Sequence, residues 1–407
     1  MSDIFNFCSF KWWKMISSPL ITALEQDEQF LATVLRSSEH DPHLRLDQLE
    51  METGLAPDVY NNSVTKVHVR GRKGKTLMQF YKTLVIKRCP EQQTRQKDPA
   101  FCNEVTVYSS VLPALLQWTQ DPSLLPFPAC LHTSNSVIVL EDLSSSGFLT
   151  GNRIKGLDLD HSILAFQALG RFHAVSLSLK YQNRRALDNI LSQVQEVVFV
   201  PEAAPVFGVS LENALELAVT SLKHCPEQVI FDAVQILQSL QGRTFRTLMS
   251  LLTPKEPLSV ICHGDFWINN VMFRYKNNKV SEVAFTDLQV VRYSSLATDI
   301  LHFMYTSLEP GLSRDYSDEL LKVYHKSLSE TMAKIAPSAP PITLEDISDE
   351  IESHALYGLL MSFLVQPNIA NSAKKLENSS QYFNNFSLSY YQRVKDIVLE
   401  FADKSFI

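Results

Sequence analysis

The spacing of apolar positions divides this chain into a strand-rich first third and a helix-rich remainder. From Ile21 to Ser37 the apolar residues recur at helical intervals, with Leu24, Phe30, Leu31 and Val34 on or near one face. Leu44–Met51, Val64–Val69 and Phe80–Ile86 read as strands. Gly71-Arg72-Lys73-Gly74-Lys75 supplies a turn between the last two, and the third strand ends at Lys87. Asp98–Leu112 reads as a helix with Glu104 one turn in, and Pro113 lies near its end. After the break at Pro126-Phe127-Pro128, Ser136–Leu140 forms another strand, and Glu141 to Gly147 is a short serine-rich connection.

Beyond that connection the period changes to 3.6. Asp160 is the expected N-cap of a helix running to about Tyr181, with Ile163, Phe166, Leu169 and Phe172 as its stripe. Helices are also expected over Leu211–Lys223, Gln228–Leu252, Ile300–Ser307, Asp318–Ala336, Leu344–Leu364 and Tyr382–Phe401. One stretch interrupts them. Leu258–Cys262 reads as a buried strand, and Val271–Phe273 and Val283–Phe285 bracket the hairpin turn Lys276-Asn277-Asn278-Lys279. The pattern predicts an α+β protein with an extension over 1–20, a sheet-bearing lobe over 21–140, a hinge over 141–147 and a helical lobe over 148–407.

Composition narrows the class. A chain of 407 residues, 45% hydrophobic and 20% charged, can bury a large core and would usually split into two or more lobes. A net charge of −7 and a pI near 5.9 argue against a nucleic-acid partner and give no reason to expect binding to anionic membrane. The six cysteines are scattered, with no C-x-x-C pair and no metal-like spacing, so reduced thiols in a cytoplasmic protein are expected. The N-terminal segment lacks the layout of a secretory leader, and no run approaches a membrane span. The sequons at Asn61, Asn378 and Asn385 are then expected to stay unused.

The chemistry concentrates in Ile261-Cys262-His263-Gly264-Asp265-Phe266-Trp267-Ile268-Asn269-Asn270, which contains His-x-Asp-x-x-x-x-Asn. After the hairpin, Phe285-Thr286-Asp287 adds a second acid at the end of an apolar run. Phosphoryl transfer from ATP needs these parts: one carboxylate to take or orient the acceptor's hydroxyl proton, and hard oxygen donors to hold magnesium on the phosphates. Asp265 is the candidate base, and Asn270 and Asp287 are the candidate Mg2+ ligands. The bland alternative is a hairpin whose polar residues only cap loops. His263 reads either as a proton shuttle or as a packing histidine. Lys87, Lys82 and Arg88 compete as a phosphate-binding cation at the end of the third strand.

The segments "HGDFWINNVMF", "FTDLQVVRYSSLATDILHF", "VLEDLSSSGF" and "LGRFHAVSLSLK" resemble the ecdysteroid kinase-like family, which groups with choline kinases and aminoglycoside phosphotransferases in the protein-kinase-like fold. The resemblance runs from about residue 30 to the C-terminus. It implies a two-lobed ATP-dependent kinase acting on a hydroxyl of a small acceptor, such as an ecdysteroid-like steroid or a xenobiotic, with a choline-type alcohol as a further option. It selects Lys87 for the phosphates and Glu104 as its partner. It implies adenine recognition by backbone groups of Glu141 and Leu143 in the hinge, and support of the catalytic loop by His263 and Asp299. His173 is expected to be a packed, satisfied histidine.

Two departures from pattern stand out. Leu288-Gln289 follows Asp287 where a protein kinase has Phe-Gly. The phosphate-covering loop, Gly54 to Ser63, holds a single glycine and a stiffening Pro57. That loop motivates the second reading, a non-catalytic binding protein on the same scaffold.

Overall fold

The structure, a computed structural model, describes residues 20–52, 63–89, 98–377, 382–383 and 386–407. The Gly-poor stretch Gly54–Asn62 lies outside the described residues. The chain divides into two compact units, one of Met1–Ser109 with Phe127–Gly147, the other of Ser110–Pro126 with Phe148–Ile407. Sequence reading keeps everything to residue 140 together, whereas Ser110–Pro126 groups with the second unit.

The first unit is a five-stranded antiparallel sheet in the order β1 (Arg45–Glu52), β2 (Ser63–Lys73), β3 (Met78–Arg88), β5 (Val137–Glu141), β4 (Cys130–Thr133). Helix α1 (Leu20–Ser38) contributes Leu31, Val34 and Leu35 to a core shared with Val67, Val69, Phe80, Leu84, Ile86 and Val139. These positions alternate along β2 and β3, so one sheet face is buried by the period of two. The β2–β3 hairpin extends further than its turn residues suggest. Lys73 pairs with Met78, and the turn is Gly74 to Leu77, with Gly74 at φ +72°. Gly71, read as part of the turn, sits within β2. A Cβ there would lie 2.2 Å from the Arg45 carbonyl oxygen, so the glycine admits the close approach of β1.

The expected helix over Asp98–Leu112 is subdivided. Asp98 caps α2 (Pro99–Thr106) by accepting the Ala100 N–H at 2.9 Å, with Pro99 at the first helical position. A π-turn over Val107–Val111 follows, then α3 (Leu112–Thr119) in the second unit. Pro113 lies at the start of α3, where its missing N–H costs little.

In the second unit, α4 (Leu159–Gln182) is capped by Asp158, which accepts the His161 N–H at 3.1 Å. Asp160 lies instead in the first turn, where the helix dipole favours an acid. Helix α5 (Arg184–Leu191) and an irregular stretch lead to α6 (Val209–Leu222). The single helix expected over Gln228–Leu252 is two, α7 (Gln228–Ser239) and α8 (Thr244–Leu252), broken where Gly242 takes φ +76°. Strand β6 (Phe148–Thr150) joins β8 (Val271–Lys276) and β9 (Lys279–Phe285). Asn277 and Asn278, both at positive φ, close the β8–β9 hairpin as a two-residue turn. Strand β7 (Ser259–Cys262) pairs with β10 (Arg292–Ser295).

Every residue of α9 (Leu296–Ser307) is buried, which places this helix in the middle of the unit. It packs against α12 (Ala355–Glu377), where a Cβ on Gly358 would lie 3.0 Å from Leu301 and Tyr305 side chains. Helix α10 (Leu312–Ile335) runs along α4, and a Cβ on Gly170 would lie 2.7 Å from the Tyr324 carbonyl oxygen. Thr343 and Asp346 form a capping box on α11 (Leu344–Ser353), which ends at His354, so this region too is two helices and not one. The short pair β11 (Tyr382–Phe383) and β12 (Phe386–Ser387) precedes α13 (Leu388–Asp403).

Candidate active site

The loop after β7 is built on one buried carboxylate. Asp299, in the first turn of α9, accepts the His263 N–H at 2.6 Å through Oδ2 and the Gly264 N–H at 2.9 Å through Oδ1. His173 Nε2 donates to Oδ2 at 3.1 Å, and Nδ1 of the same ring accepts from the Tyr324 hydroxyl at 2.8 Å. Burial alone would raise the Asp299 pKa. The His173 hydrogen bond, the nearby His263 and the Gly264 N–H outweigh it and hold the carboxyl below its usual range. His173, Cys262 and Asp299 bring ligand-type atoms within 4.8 Å of one another. Their atoms are engaged in this network and in the contact of Cys262 Sγ with the Ser295 carbonyl, so the cluster reads as structure and not as a metal cage.

Gly264 makes the turn possible. It sits at φ +84°, and a Cβ would lie 2.0 Å from the Val290 carbonyl oxygen, so no side chain fits. His263 is fully buried, and burial depresses its pKa and favours the neutral ring. A carbonyl can only accept, so Nε2–H donates to Thr286 O at 2.9 Å and Nδ1 accepts the Asp265 N–H at 3.4 Å. With both nitrogens facing backbone, the ring ties the loop to the residue before Asp287.

Asp265 and Asn270 face each other across the loop. Asn270 Nδ2 donates to the Asp265 carbonyl at 2.9 Å and to its Oδ2 at 2.8 Å. Both donors are thereby spent, and the amide oxygen is the atom left to serve a cation. The Asn270 backbone is pinned as well, by the Trp267 carbonyl at 2.9 Å and by the Thr286 N–H at 2.9 Å. The Asp265 pKa is pushed up to about 7, first by burial and then by the charge of Asp287, against opposing pulls from Asn270, Arg292 and Trp267. Asp287 is itself half-buried and takes φ +66°, a left-handed conformation that Asp tolerates better than most residues.

The oriented Asn270 amide oxygen and the Asp287 carboxylate are hard-oxygen donors suited to magnesium, and a cation there would relieve the repulsion between Asp287 and Asp265. The structure thus brings Asp265, Asn270, Asp287, His263 and Asp299 into one local assembly.

The first unit holds its own buried pair. Lys87 Nζ lies 2.8 and 3.1 Å from the two Glu104 oxygens, with Lys87 6% exposed and Glu104 fully buried. Burying an ion pair this completely costs desolvation, so neither residue is a solvated surface charge. At the end of β5, the Glu141 carboxylate accepts the Ala129 N–H at 2.7 Å, and Leu143 opens a short 3-10 turn capped by Asp142.

Sequence reasoning passed over two features near these sites. Lys66 bridges from β2 to the turn after β5, 2.9 Å from Asp142 and 2.6 Å from the Ser144 hydroxyl. Arg292 is buried beside the loop that bears Asp265 and paired with Glu196 at 2.9 Å. A lone cation in the otherwise uncharged run Leu288-Gln289-Val290-Val291-Arg292 was the available signal for the second.

The first unit is built on a sheet, and the second is helical and carries a strand, a loop and a hairpin. The chain belongs to the Ecdysteroid kinase-like family, whose model matches residues 57–336, and it is a small-molecule kinase acting on hydroxyl groups. No curated protein matches the chain in sequence. Among solved structures it is similar to an ethanolamine kinase of Plasmodium vivax, at 13% identity and TM-score 0.42, covering 90% of this chain and 87% of that one. It is also similar to a choline kinase of Cryptosporidium parvum Iowa II, at 11% identity and TM-score 0.42, covering 93% and 97%. A third is the amicoumacin kinase hAmiN, at 13% identity and TM-score 0.45, covering 95% and 97%. Among the described residues no helix is long and apolar enough to cross a membrane.

Proposed function

We propose that this chain transfers the γ-phosphoryl group of ATP to a hydroxyl of a small lipophilic acceptor, an ecdysteroid-like steroid or a xenobiotic alcohol. The observation that carries the reading is the Asp265–Asn270 pairing on a loop fixed from below by Asp299, with Asp287 close enough for its charge to raise the Asp265 pKa. Asp265 receives the acceptor's hydroxyl proton as the new P–O bond forms and the bond to the leaving ADP oxygen breaks. Asn270 Oδ1 and the Asp287 carboxylate would hold Mg2+, and the ion would supply neutralisation of phosphate charge. Lys87, fixed by Glu104, contacts the phosphates, and backbone groups of Glu141 and Leu143 meet the adenine edge. Family membership and the buried Lys87–Glu104 pair support this division of roles.

The test is a screen of hydroxylated steroids and xenobiotics for phosphate esters by mass spectrometry, repeated with Asp265→Ala. That variant should retain MgATP affinity and lose roughly a hundred-fold or more in kcat. Equal turnover by parent and variant would remove Asp265 from the mechanism.

A further inference from the structure

Trp267 follows Asp265 by two residues in the loop after β7, and its backbone is fixed from both sides. Its carbonyl accepts the Asn270 N–H at 2.9 Å, and the next amide, that of Ile268, donates to the Ser307 hydroxyl at 2.9 Å. Phe266 lies between Asp265 and Trp267 and is fully buried, 4.7 Å from Phe285 and 4.8 Å from Phe303 between ring centres. Asp265 and Trp267, on either side of it, are only half-buried. The extended backbone at Trp267, φ −147° and ψ 173°, fits this alternation, with Phe266 in the core and its two neighbours on the open side of the loop. The indole nitrogen is the anomaly. Nε1 is shielded from solvent and finds no hydrogen-bond partner among the described residues. It lies near enough to Asp265 to pull that carboxyl's pKa down, yet closes no hydrogen bond with it. Asp265 Oδ2 is already engaged by Asn270 Nδ2 at 2.8 Å.

A shielded N–H without a partner is destabilising, and Phe would fill similar room without stranding a donor. Buried Trp side chains usually satisfy this group, so the missing partner points to an atom that arrives with a ligand. We propose that Trp267 is a catalytic residue whose N–H binds the attacking oxygen of the acceptor, and that this contact confines phosphoryl transfer to oxygen and excludes nitrogen. The inference rests on the kinase reading above and adds a residue and a selectivity to it. The two side chains are complementary. An ionised Asp265 can only accept, and the indole can only donate. An atom held by both must donate one hydrogen, accept another and keep an electron pair for phosphorus. A hydroxyl oxygen, with one hydrogen and two lone pairs, does all three. An uncharged amine nitrogen has a single lone pair, which cannot serve the indole and phosphorus together. In the step, the oxygen forms its bond to the γ-phosphorus, the bond to the ADP oxygen breaks, and the hydroxyl proton passes to Asp265.

Hydroxylamine, uncharged near neutral pH and little larger than water, offers both atoms to the site, whereas water offers oxygen alone. The full chain with MgATP and hydroxylamine is followed by phosphorus NMR, which separates the O-phosphoryl from the N-phosphoryl product. Phosphate release to water is measured beside it. The decisive variant carries benzothienylalanine in place of Trp267, which keeps the fused ring and lacks the N–H. Trp267→Phe is its companion. The parent should give the O-phosphoryl product in roughly tenfold excess or more. The benzothienyl protein should lose roughly tenfold or more in kcat toward oxygen, keep its KM for MgATP, and give a lower ratio of O- to N-phosphoryl product.

Because Trp267→Phe also changes the packing of the loop, the benzothienyl protein carries the decision, and a Trp that serves packing alone would leave its product ratio unmoved. An equal ratio in parent and benzothienyl protein, or a parent that forms the N-phosphoryl product as readily as the other, overturns the proposal and leaves the kinase reading standing. A parent that passes phosphate to no oxygen, whether of water, hydroxylamine or any alcohol of the steroid and xenobiotic screen, brings down the kinase reading and this inference with it.

Discussion

Two carboxylates attend the same loop and are treated in opposite ways. Asp299 and Asp265 both lie among protein atoms, and burial works to raise both pKa values. Asp299 receives two backbone N–H groups and an imidazole, and ends below its usual range. Asp265 receives one amide, faces the charge of Asp287, and ends at about 7. Donors are concentrated on the carboxylate that holds the loop and withheld from the one above it. The difference separates an acid held firmly by hydrogen bonds from one left poised by its surroundings, a distinction that composition and burial alone would miss.

Removing the lower acid should have the largest effect. Asp299→Ala orphans the His263 and Gly264 N–H groups and the His173 ring inside the core, and should cost about 3 kcal/mol or more. Urea unfolding midpoints measure it, and a loss under about 1 kcal/mol would contradict the assignment. Lys87→Met tests whether the buried pair of the first unit behaves like Asp299. It strands the Glu104 carboxylate and should cost about 3 kcal/mol. The double change Lys87→Met with Glu104→Leu should recover most of that loss in the same unfolding assay.

Asp265→Asn should show the opposite behaviour. It removes a charge that Asp287 repels, so stability should stay within about 1 kcal/mol of the parent or rise. A large loss on calorimetry would place Asp265 with Asp299 as a structural group. The smallest effect is in acid. Because the folded pKa of Asp299 is depressed, its contribution is fully present above the ordinary Asp value of about 3.9 and is lost as pH falls through the folded value. Melting temperatures from neutral pH into that range should therefore fall less steeply for Asp299→Asn than for the parent.

What the sequence disclosed follows from how local each feature is. Asp265 and Asn270 share one loop, and the Asn277-Asn278 turn returns the chain toward Asp287, so spacing alone brings the three together. Asp299 meets His263 from 36 residues away, and only the family resemblance picked it out. Glu196 meets Arg292 through an irregular segment with no period to read. Helix limits were missed where one residue decides them. Gly242 at φ +76° splits α7 from α8, although apolar spacing runs through both. Asp158 takes the cap of α4 that Asp160 equally suits by composition. Gly71 was assigned to a turn because glycine usually marks one, whereas here it admits a neighbouring strand.

The amides of His263 and Gly264 point into Asp299, on a helix buried along its whole length. For solvent deuterons to reach them, α9 must part from β7 and α12, which is close to unfolding the whole unit. Their exchange should therefore run at the slow limit set by global opening, and slower than that of the exposed Asn278 amide in the hairpin turn. The loop bearing Asp265 would then be among the last parts of the protein to open, so that carboxylate is held in place ahead of any ligand.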